Sequence, residues 1–187
     1  MAWIGLGANV GDLPAALRAA LAALADLPRT RLLAQSSLYR SAPVDAGGPD
    51  YLNAVAQIET GLGARELLAH LHAIEARQGR ERPFRNAPRT LDLDLLLFAD
   101  ERLDTSELTV PHPRLQHRAF VLVPLAELAP DLVVPGLGPL AALMAGVADQ
   151  SIERLSADPA VCPKAAHASN AAAASSAADN HSPPRVP

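Results

Sequence analysis

The chain has 187 residues and a single cysteine, Cys162. No internal disulfide framework is available to it, and a reducing compartment is permitted. It also lacks positive net charge. The balance is −4, which argues against a nucleic-acid or anionic-membrane surface spread over the whole protein. No apolar run is long and unbroken enough for a membrane span, because residues 132–148 are interrupted by Pro135, Gly136, Gly138 and Pro139. Met1-Ala2-Trp3-Ile4 runs straight into structure without a basic segment or cleavage site, so no signal peptide is expected. Two nucleotide fingerprints are missing as well. In Gly5-Leu6-Gly7-Ala8-Asn9-Val10-Gly11, valine stands where the dinucleotide motif needs glycine, and no lysine follows in a P-loop arrangement. These glycines are instead expected to end a strand and let backbone, or a flat ligand, approach closely. The absences together predict a soluble, cytoplasmic protein. With 49% apolar and 19% charged residues, it has an ordinary globular balance and the length for one domain with a proper core.

Periodicity divides that domain into strands and helices. Residues 2–6 read as a short apolar strand. Asp12 can cap a helix that tolerates Pro14 in its first turn, with Leu13, Leu17, Ala20, Leu21 and Leu24 on one stripe, ending before Pro28. Residues 32–40 read as a second strand and 41–50 as a Pro- and Gly-rich loop. Residues 51–60 form a third strand: Leu52, Ala54, Ala56 and Ile58 make its apolar face, and Tyr51, Asn53, Val55 and Gln57 the other. Tyr51 beside Asn53 can stack on and hydrogen-bond a heterocycle, or the two are surface residues next to a loop. Residues 64–78 read as a second helix with a Leu67, Leu68, Leu71 and Ile74 stripe, bordered by Glu75 and stopped by Gly79. His70 and His72 face different ways on it and do not make a metal pair. Residues 99–101 are a turn, and His112 is fixed between Pro111 and Pro113 in a loop. A last amphipathic piece spans 137–147. Residues 156–187 contain no Leu, Ile, Phe, Trp or Tyr. Such a tail cannot bury enough apolar surface to offset its ordering entropy, so it is expected to be disordered and dispensable for activity.

The stretch Pro88-Arg89-Thr90-Leu91-Asp92-Leu93-Asp94-Leu95-Leu96-Leu97-Phe98 organises the rest. It reads as a buried strand, with Asp92 and Asp94 on one face and Leu91, Leu93 and Leu95 on the other. The two carboxylates would be attached roughly 7 Å apart. On an otherwise hydrophobic strand they are costly unless a cation sits between them. They either hold a divalent metal beside phosphate or pair with arginines on a solvated face. Residues 80–89 lead directly into them and carry Arg80, Arg82, Arg85 and Arg89. That local excess of guanidinium forks suits phosphate oxygens, though a solvated basic loop has the same composition. His112 is either a phosphate donor or a simple loop histidine.

Five segments then share a family's order and spacing: Gly5-Leu6-Gly7-Ala8-Asn9, Tyr51-Leu52-Asn53-Ala54, Ala87-Pro88-Arg89-Thr90-Leu91-Asp92-Leu93-Asp94, Thr109-Val110-Pro111-His112 and Arg118-Ala119-Phe120. Over residues 2–150 the chain resembles the 6-hydroxymethyl-7,8-dihydropterin pyrophosphokinases of folate synthesis. The resemblance implies an α+β fold, with an antiparallel-rich sheet in ferredoxin-like order and helices packed on its faces. It implies transfer of pyrophosphate from MgATP to the pterin hydroxymethyl group, with release of AMP. In that frame Asp92 and Asp94 hold two magnesium ions, and Arg80 and Arg89 neutralise charge as the β-phosphorus changes partners. Arg82, His112 and Arg118 contact the triphosphate, while Glu75 and Thr109 lie around the nucleoside. Tyr51 and Phe120 sandwich the pterin and Asn53 reads its amide-like edge. Gly7 and the backbone through Pro43 and Val44 complete the pocket. The implied partners are these two small molecules, and the implied state is a monomer of residues 1–155 followed by the tail. Ala8, the short arginine loop, Asn86-Ala87 and Glu107 depart from the family pattern. A different magnesium-dependent phosphotransferase, or a binding module without catalysis, would share many of these residue types.

Overall fold

The computed structural model describes residues 1–43, 48–78 and 90–155. The tail and the arginine-rich segment therefore lie outside the described residues. Strand β1, Ala2–Ala8, is followed by α1, Leu13–Ala25, then β2, Thr30–Gln35, β3, Tyr39–Ser41, and β4, Tyr51–Thr60. Helix α2, Ala64–Arg77, precedes β5, Asp92–Phe98. Short strands β6, Leu103–Asp104, and β7, Thr109–Val110, lead to α3, Ala119–Leu128. The chain continues through β8, Val133–Val134, β9, Gly138–Pro139, α4, Leu140–Met144, and β10, Ile152–Arg154. The main sheet runs β10-β3-β4-β1-β5, with β2 also paired to β4. Every one of these pairings is antiparallel. The fold is thus α+β, an open antiparallel sheet with helices on its faces.

Alternation along β1 explains the layering. Ala2, Ile4, Leu6 and Ala8 face a core shared with Leu17, Leu21 and Leu24 of α1 and Leu67, Leu71 and Ile74 of α2. The opposite face carries Trp3 and, from β4, Val55, which pack against Val121, Leu122 and Leu125 of α3 and Leu140 of α4. Helix α1 begins where the chain's chemistry predicts, since the Asp12 carboxylate accepts the Ala15 N–H at 3.0 Å and Pro14 sits in the first turn.

Three features differ from the expectations. The strand expected over 32–40 splits into β2 and β3. Ser36 causes the break: its hydroxyl donates to the Ser37 carbonyl and accepts the Val55 N–H, so the side chain takes over ladder positions. Helix α3 has no counterpart among the elements expected from the sequence, and Pro124 lies inside it. A proline ordinarily breaks the ladder, but here Ala119, Val121, Leu122, Pro124 and Leu125 are buried, and tertiary packing overrides the local penalty. The piece expected over 137–147 is divided: β9 takes Gly138–Pro139, and helical turns follow over Leu140–Met144 and Ala145–Val147.

Strand β5 forms one end of the sheet path, paired to β1. A bulge at Leu96 shifts the register, so that Trp3 faces Leu97 and Ile4 faces Leu95. Leu93 and Leu95 enter the first core, whereas Leu96 and Leu97 both enter the second. Each such burial contributes about 1.5–3 kcal/mol. Repulsion between two half-exposed carboxylates about 7 Å apart is on the order of 1–2 kcal/mol. The leucines therefore dominate, and the strand can carry Asp92 and Asp94 on its open face.

Candidate active site

The site begins with a row of aligned residues across the sheet. Asp92 pairs with Gly7, Gly7 with Asn53, and Asn53 with Tyr39. One step along, Asp94 pairs with Gly5 and Gly5 with Val55. Directly opposed residues project to the same face, so the carboxylates of β5 and the amide of β4 look out over the same side, with glycine between them. Because Gly7 has no side chain, the sheet has a shallow trough there, floored by backbone. A Cβ at Gly7 would meet only Asn53 Oδ1, at 3.4 Å. Asn53 is 3% exposed and its orientation is fixed, since Nδ2 donates to Ser41 Oγ at 3.0 Å and to the Tyr39 carbonyl at 3.4 Å. Tyr51 shares this face and pairs with Ser41. Pro43 lies just past β3 at the end of the described backbone, while Val44 falls outside it.

Beside the trough opens a cleft of about 500 Å³. Asp92, Asp94, Thr109, His112 and Arg118 all line it, so the structure brings together these five expected residues from β5, β7 and the loop before α3. The Arg118 guanidinium is 3.6 Å from Asp94 Oδ2, and His112 Nε2 is 3.9 Å from Asp94 Oδ1. The Arg118 guanidinium also lies over the Phe120 ring, 5.4 Å from its centroid. This contact joins the cleft to the aromatic residue expected for the pterin. His112 is held from two sides: its N–H donates to the Leu96 carbonyl at 2.9 Å, and its Nδ1 accepts the Arg114 N–H at 3.1 Å. A neutral ring accepting at Nδ1 carries its proton on Nε2, which faces Asp94. Burial pushes the His112 pKa below its ordinary value, with Arg118 and Arg114 adding to the effect and Asp94 opposing it. The ring is therefore a neutral donor near pH 7.

Glu75, expected around the nucleoside, is a buried residue of α2. It is 2% exposed and does not line the cleft. Its carboxylate sits behind β5 and accepts the Leu93 N–H at 2.7 Å. The cleft wall on α2 is instead formed by Leu68 and His72. His72 lies three residues before Glu75 on the same flank of the apolar stripe, beyond Leu68, and that helical position is the signal for it in the sequence. The β6–β7 connection supplies Thr105, Ser106 and Glu107, with Glu107 also 3.6 Å from Arg65 of α2. Arg114 lines the cleft too and was missed, because nothing local distinguishes it from other loop arginines. Arg80, Arg82 and Arg89 lie outside the described residues.

The donor set suits magnesium. Asp92 and Asp94 present two hard carboxylates on one face beside an opening wide enough for phosphate. Magnesium takes one or two carboxylates and fills its remaining positions with water and substrate oxygens. Among the described residues no three His, Cys, Asp or Glu side chains converge as a dedicated cage. No helix among them is long and apolar enough to cross a membrane.

Comparison with known proteins gives a consistent result. Residues 3–130 match the family model described as 7,8-dihydro-6-hydroxymethylpterin-pyrophosphokinase. A 2-amino-4-hydroxy-6-hydroxymethyldihydropteridine pyrophosphokinase from Pseudomonas aeruginosa is 48% identical over 154 residues, covering 82% of this chain and 95% of that protein. A protein of the same description from Haemophilus influenzae is 44% identical over 155 residues, covering 82% and 97%. Among solved structures, an HPPK-DHPS in complex with substrates superimposes with a TM-score of 0.61 at 10% identity. That match covers 79% of this chain and 43% of the other, so it speaks for the fold alone.

Proposed function

Because the chain belongs to the 7,8-dihydro-6-hydroxymethylpterin-pyrophosphokinase family, we propose that it transfers pyrophosphate from MgATP to 6-hydroxymethyl-7,8-dihydropterin, releasing AMP, as a step of folate biosynthesis. It is an ATP-dependent pyrophosphokinase. The observation that supports this reading is the aligned row Asp92–Gly7–Asn53, with a carboxylate and a fixed amide on either side of a glycine.

Phosphoryl-type transfer is mainly positioning and charge stabilisation. In this reading the acceptor ring lies over Gly7, its amide-like edge meets Asn53, and Tyr51 and Phe120 cover its faces. Pro43 and Val44 close the pocket. Arg118 and the Nε2–H of His112 face the triphosphate, and Thr109 lies towards the nucleoside. Arg80, Arg82 and Arg89 complete the cationic wall and offset charge at the β-phosphorus. Asp92 and Asp94 would hold two magnesium ions, which when bound supply Lewis-acid neutralisation of the phosphate oxygens. Glu75 supports this side from behind, through the β5 backbone, and is the weakest of the proposed nucleotide contacts.

The same reading includes a ferredoxin-like order, supported by the path β2-β4-β1-β5 with α1 after β1 and α2 after β4. It takes residues 1–155 as the catalytic unit, supported by the Leu155 N–H donating to the Leu38 carbonyl at 2.9 Å. It takes the enzyme as a cytoplasmic monomer, and the single cysteine, Cys162, is compatible with a reducing compartment. The test is incubation of the protein with MgATP and the hydroxymethyldihydropterin. AMP and the pterin diphosphate are expected in equal amounts. ADP in place of AMP, or ATP turnover indifferent to pterin, would refute the assignment.

A further inference from the structure

The last turn of α3 holds a carboxylate where the helix dipole disfavours one. Glu127 is the penultimate residue of that helix, and its side chain is only 24% exposed. The cost is offset by four donors. The Ser37 N–H lies at 3.0 Å, the Ser37 hydroxyl at 2.8 Å, the Tyr39 hydroxyl at 2.8 Å and the Arg154 guanidinium at 3.0 Å. Arg154 also donates to Ser37 Oγ, at 2.8 and 3.0 Å. One carboxylate thereby ties α3 to the entry of β3 and to β10. Tyr39 is 5% exposed and its pKa is pushed up to about 12, by burial first and then by its hydrogen bond to Glu127.

The two structures tied together form opposite walls of the acceptor pocket. Helix α3 carries Phe120 in its first turn. Strand β3 supplies both the Ser41 hydroxyl and the Tyr39 carbonyl that hold Asn53, and it runs on into Pro43. The spacing between the aromatic wall and the amide that reads the ring edge is therefore set from the far end of α3. We propose that Glu127 is a positioning residue for the pterin half of the site, acting through Tyr39 and Ser37, and that it leaves the nucleotide half untouched. The inference rests on the assignment of Asn53 and Phe120 to the pterin.

The chemistry of the variants separates this role from simple fastening. Glu127→Gln keeps the shape but replaces one acceptor oxygen with a donor and removes the charge. Tyr39→Phe removes a single hydroxyl and keeps the packed ring. Loss of a partly buried, charge-assisted hydrogen bond converts to about a tenfold change in an equilibrium it controls. Glu127→Gln is expected to raise KM and Kd for the pterin about tenfold while KM for ATP and kcat stay within about twofold; Tyr39→Phe should give a smaller shift of the same kind. Equal weakening of ATP and pterin, or a lowered melting temperature with unchanged pterin affinity in both variants, would overturn the proposal. Asn53→Ala measured in parallel tells the two layers apart. If it weakens pterin binding and neither Glu127→Gln nor Tyr39→Phe does, only the positioning role falls. If it leaves pterin binding unchanged, the pocket assignment falls and the positioning role with it.

Discussion

Replacing Gly7 with alanine tests the geometry of the site most directly, because it separates folding from binding. Gly7 is not among the glycines with positive φ, so an L side chain meets no backbone strain there. The added Cβ would touch only Asn53 Oδ1, at 3.4 Å, an ordinary contact. In the unfolded chain alanine has fewer conformations than glycine, which favours the variant by about 0.4–1 kcal/mol. The melting temperature should hold or rise slightly. Binding should behave otherwise. The methyl group projects about 1.5 Å from the trough floor, into space that a flat ring resting on the strand would need. Overpacking of that size costs about 1–3 kcal/mol, or roughly a 5- to 150-fold loss of pterin affinity. Pterin fluorescence titration with a non-hydrolysable ATP analogue present would give the affinity, and thermal unfolding the stability. ATP affinity should not change. Gly5→Ala is the contrasting control, since its Cβ would press on Leu96 Cδ2 at 3.3 Å inside the second core, and it should lower stability. A Gly7→Ala variant with normal stability and normal pterin affinity would show that no ligand lies over that strand.

Three further predictions follow from single contacts. Asp94→Asn should reduce the single-turnover rate of AMP formation by about a thousandfold or more, since in the proposed reading several kcal/mol of transition-state charge stabilisation would depend on the metal Asp94 would help hold; a near-normal rate would exclude metal binding at β5. Glu75→Leu should leave the Leu93 N–H without that acceptor and lose about 1–3 kcal/mol of stability. Glu75→Gln, which keeps a carbonyl acceptor, should lose less in urea denaturation, and an ATP KM unchanged in both variants would assign Glu75 to support of β5 alone. Tyr39 carries a pH signature. Its folded pKa, about 12, is above the ordinary value of 10, so the unfolded chain loses that proton first. The associated stability is complete below pH 10 and declines as pH rises through 10–12, by at most about 3 kcal/mol. Urea midpoints at pH 9 and 11 should diverge less in Tyr39→Phe than in the parent, and identical pH slopes would refute the linkage.

Local periodicity made much of this arrangement legible. Alternation alone placed Asp92 and Asp94 opposite Leu91, Leu93 and Leu95, and put Asn53 on the side away from Leu52 and Ala54. Asp12 announced the start of α1 through capping chemistry. What stayed hidden depended on contacts far apart in sequence. Helix α3 contains Pro124 and is packed against Trp3 and Val55, contacts that local periodicity does not reveal. The end of β2 depends on Ser36 meeting Val55, and Glu127 looks like an ordinary surface glutamate until folding brings Ser37 and Tyr39 to it. Glu75 borders its helix's apolar stripe, and a helical wheel cannot say whether such a carboxylate faces a ligand or the edge of a strand. The cleft walls from His72 and the β6–β7 connection likewise emerge only when α2 and that connection converge on β5.

The outer edge of β5 has one more consequence. The sequence Leu93-Asp94-Leu95-Leu96-Leu97 at the end of a sheet is the kind of strand that recruits a strand from another molecule. Here the Leu93 N–H is taken by Glu75 and the Leu96 carbonyl by the His112 N–H. The loop that delivers His112 to the cleft therefore also occupies one acceptor of that strand. Placement of His112 and cover of this strand edge share a hydrogen bond, so mutations that loosen the loop are expected to bare an adhesive edge.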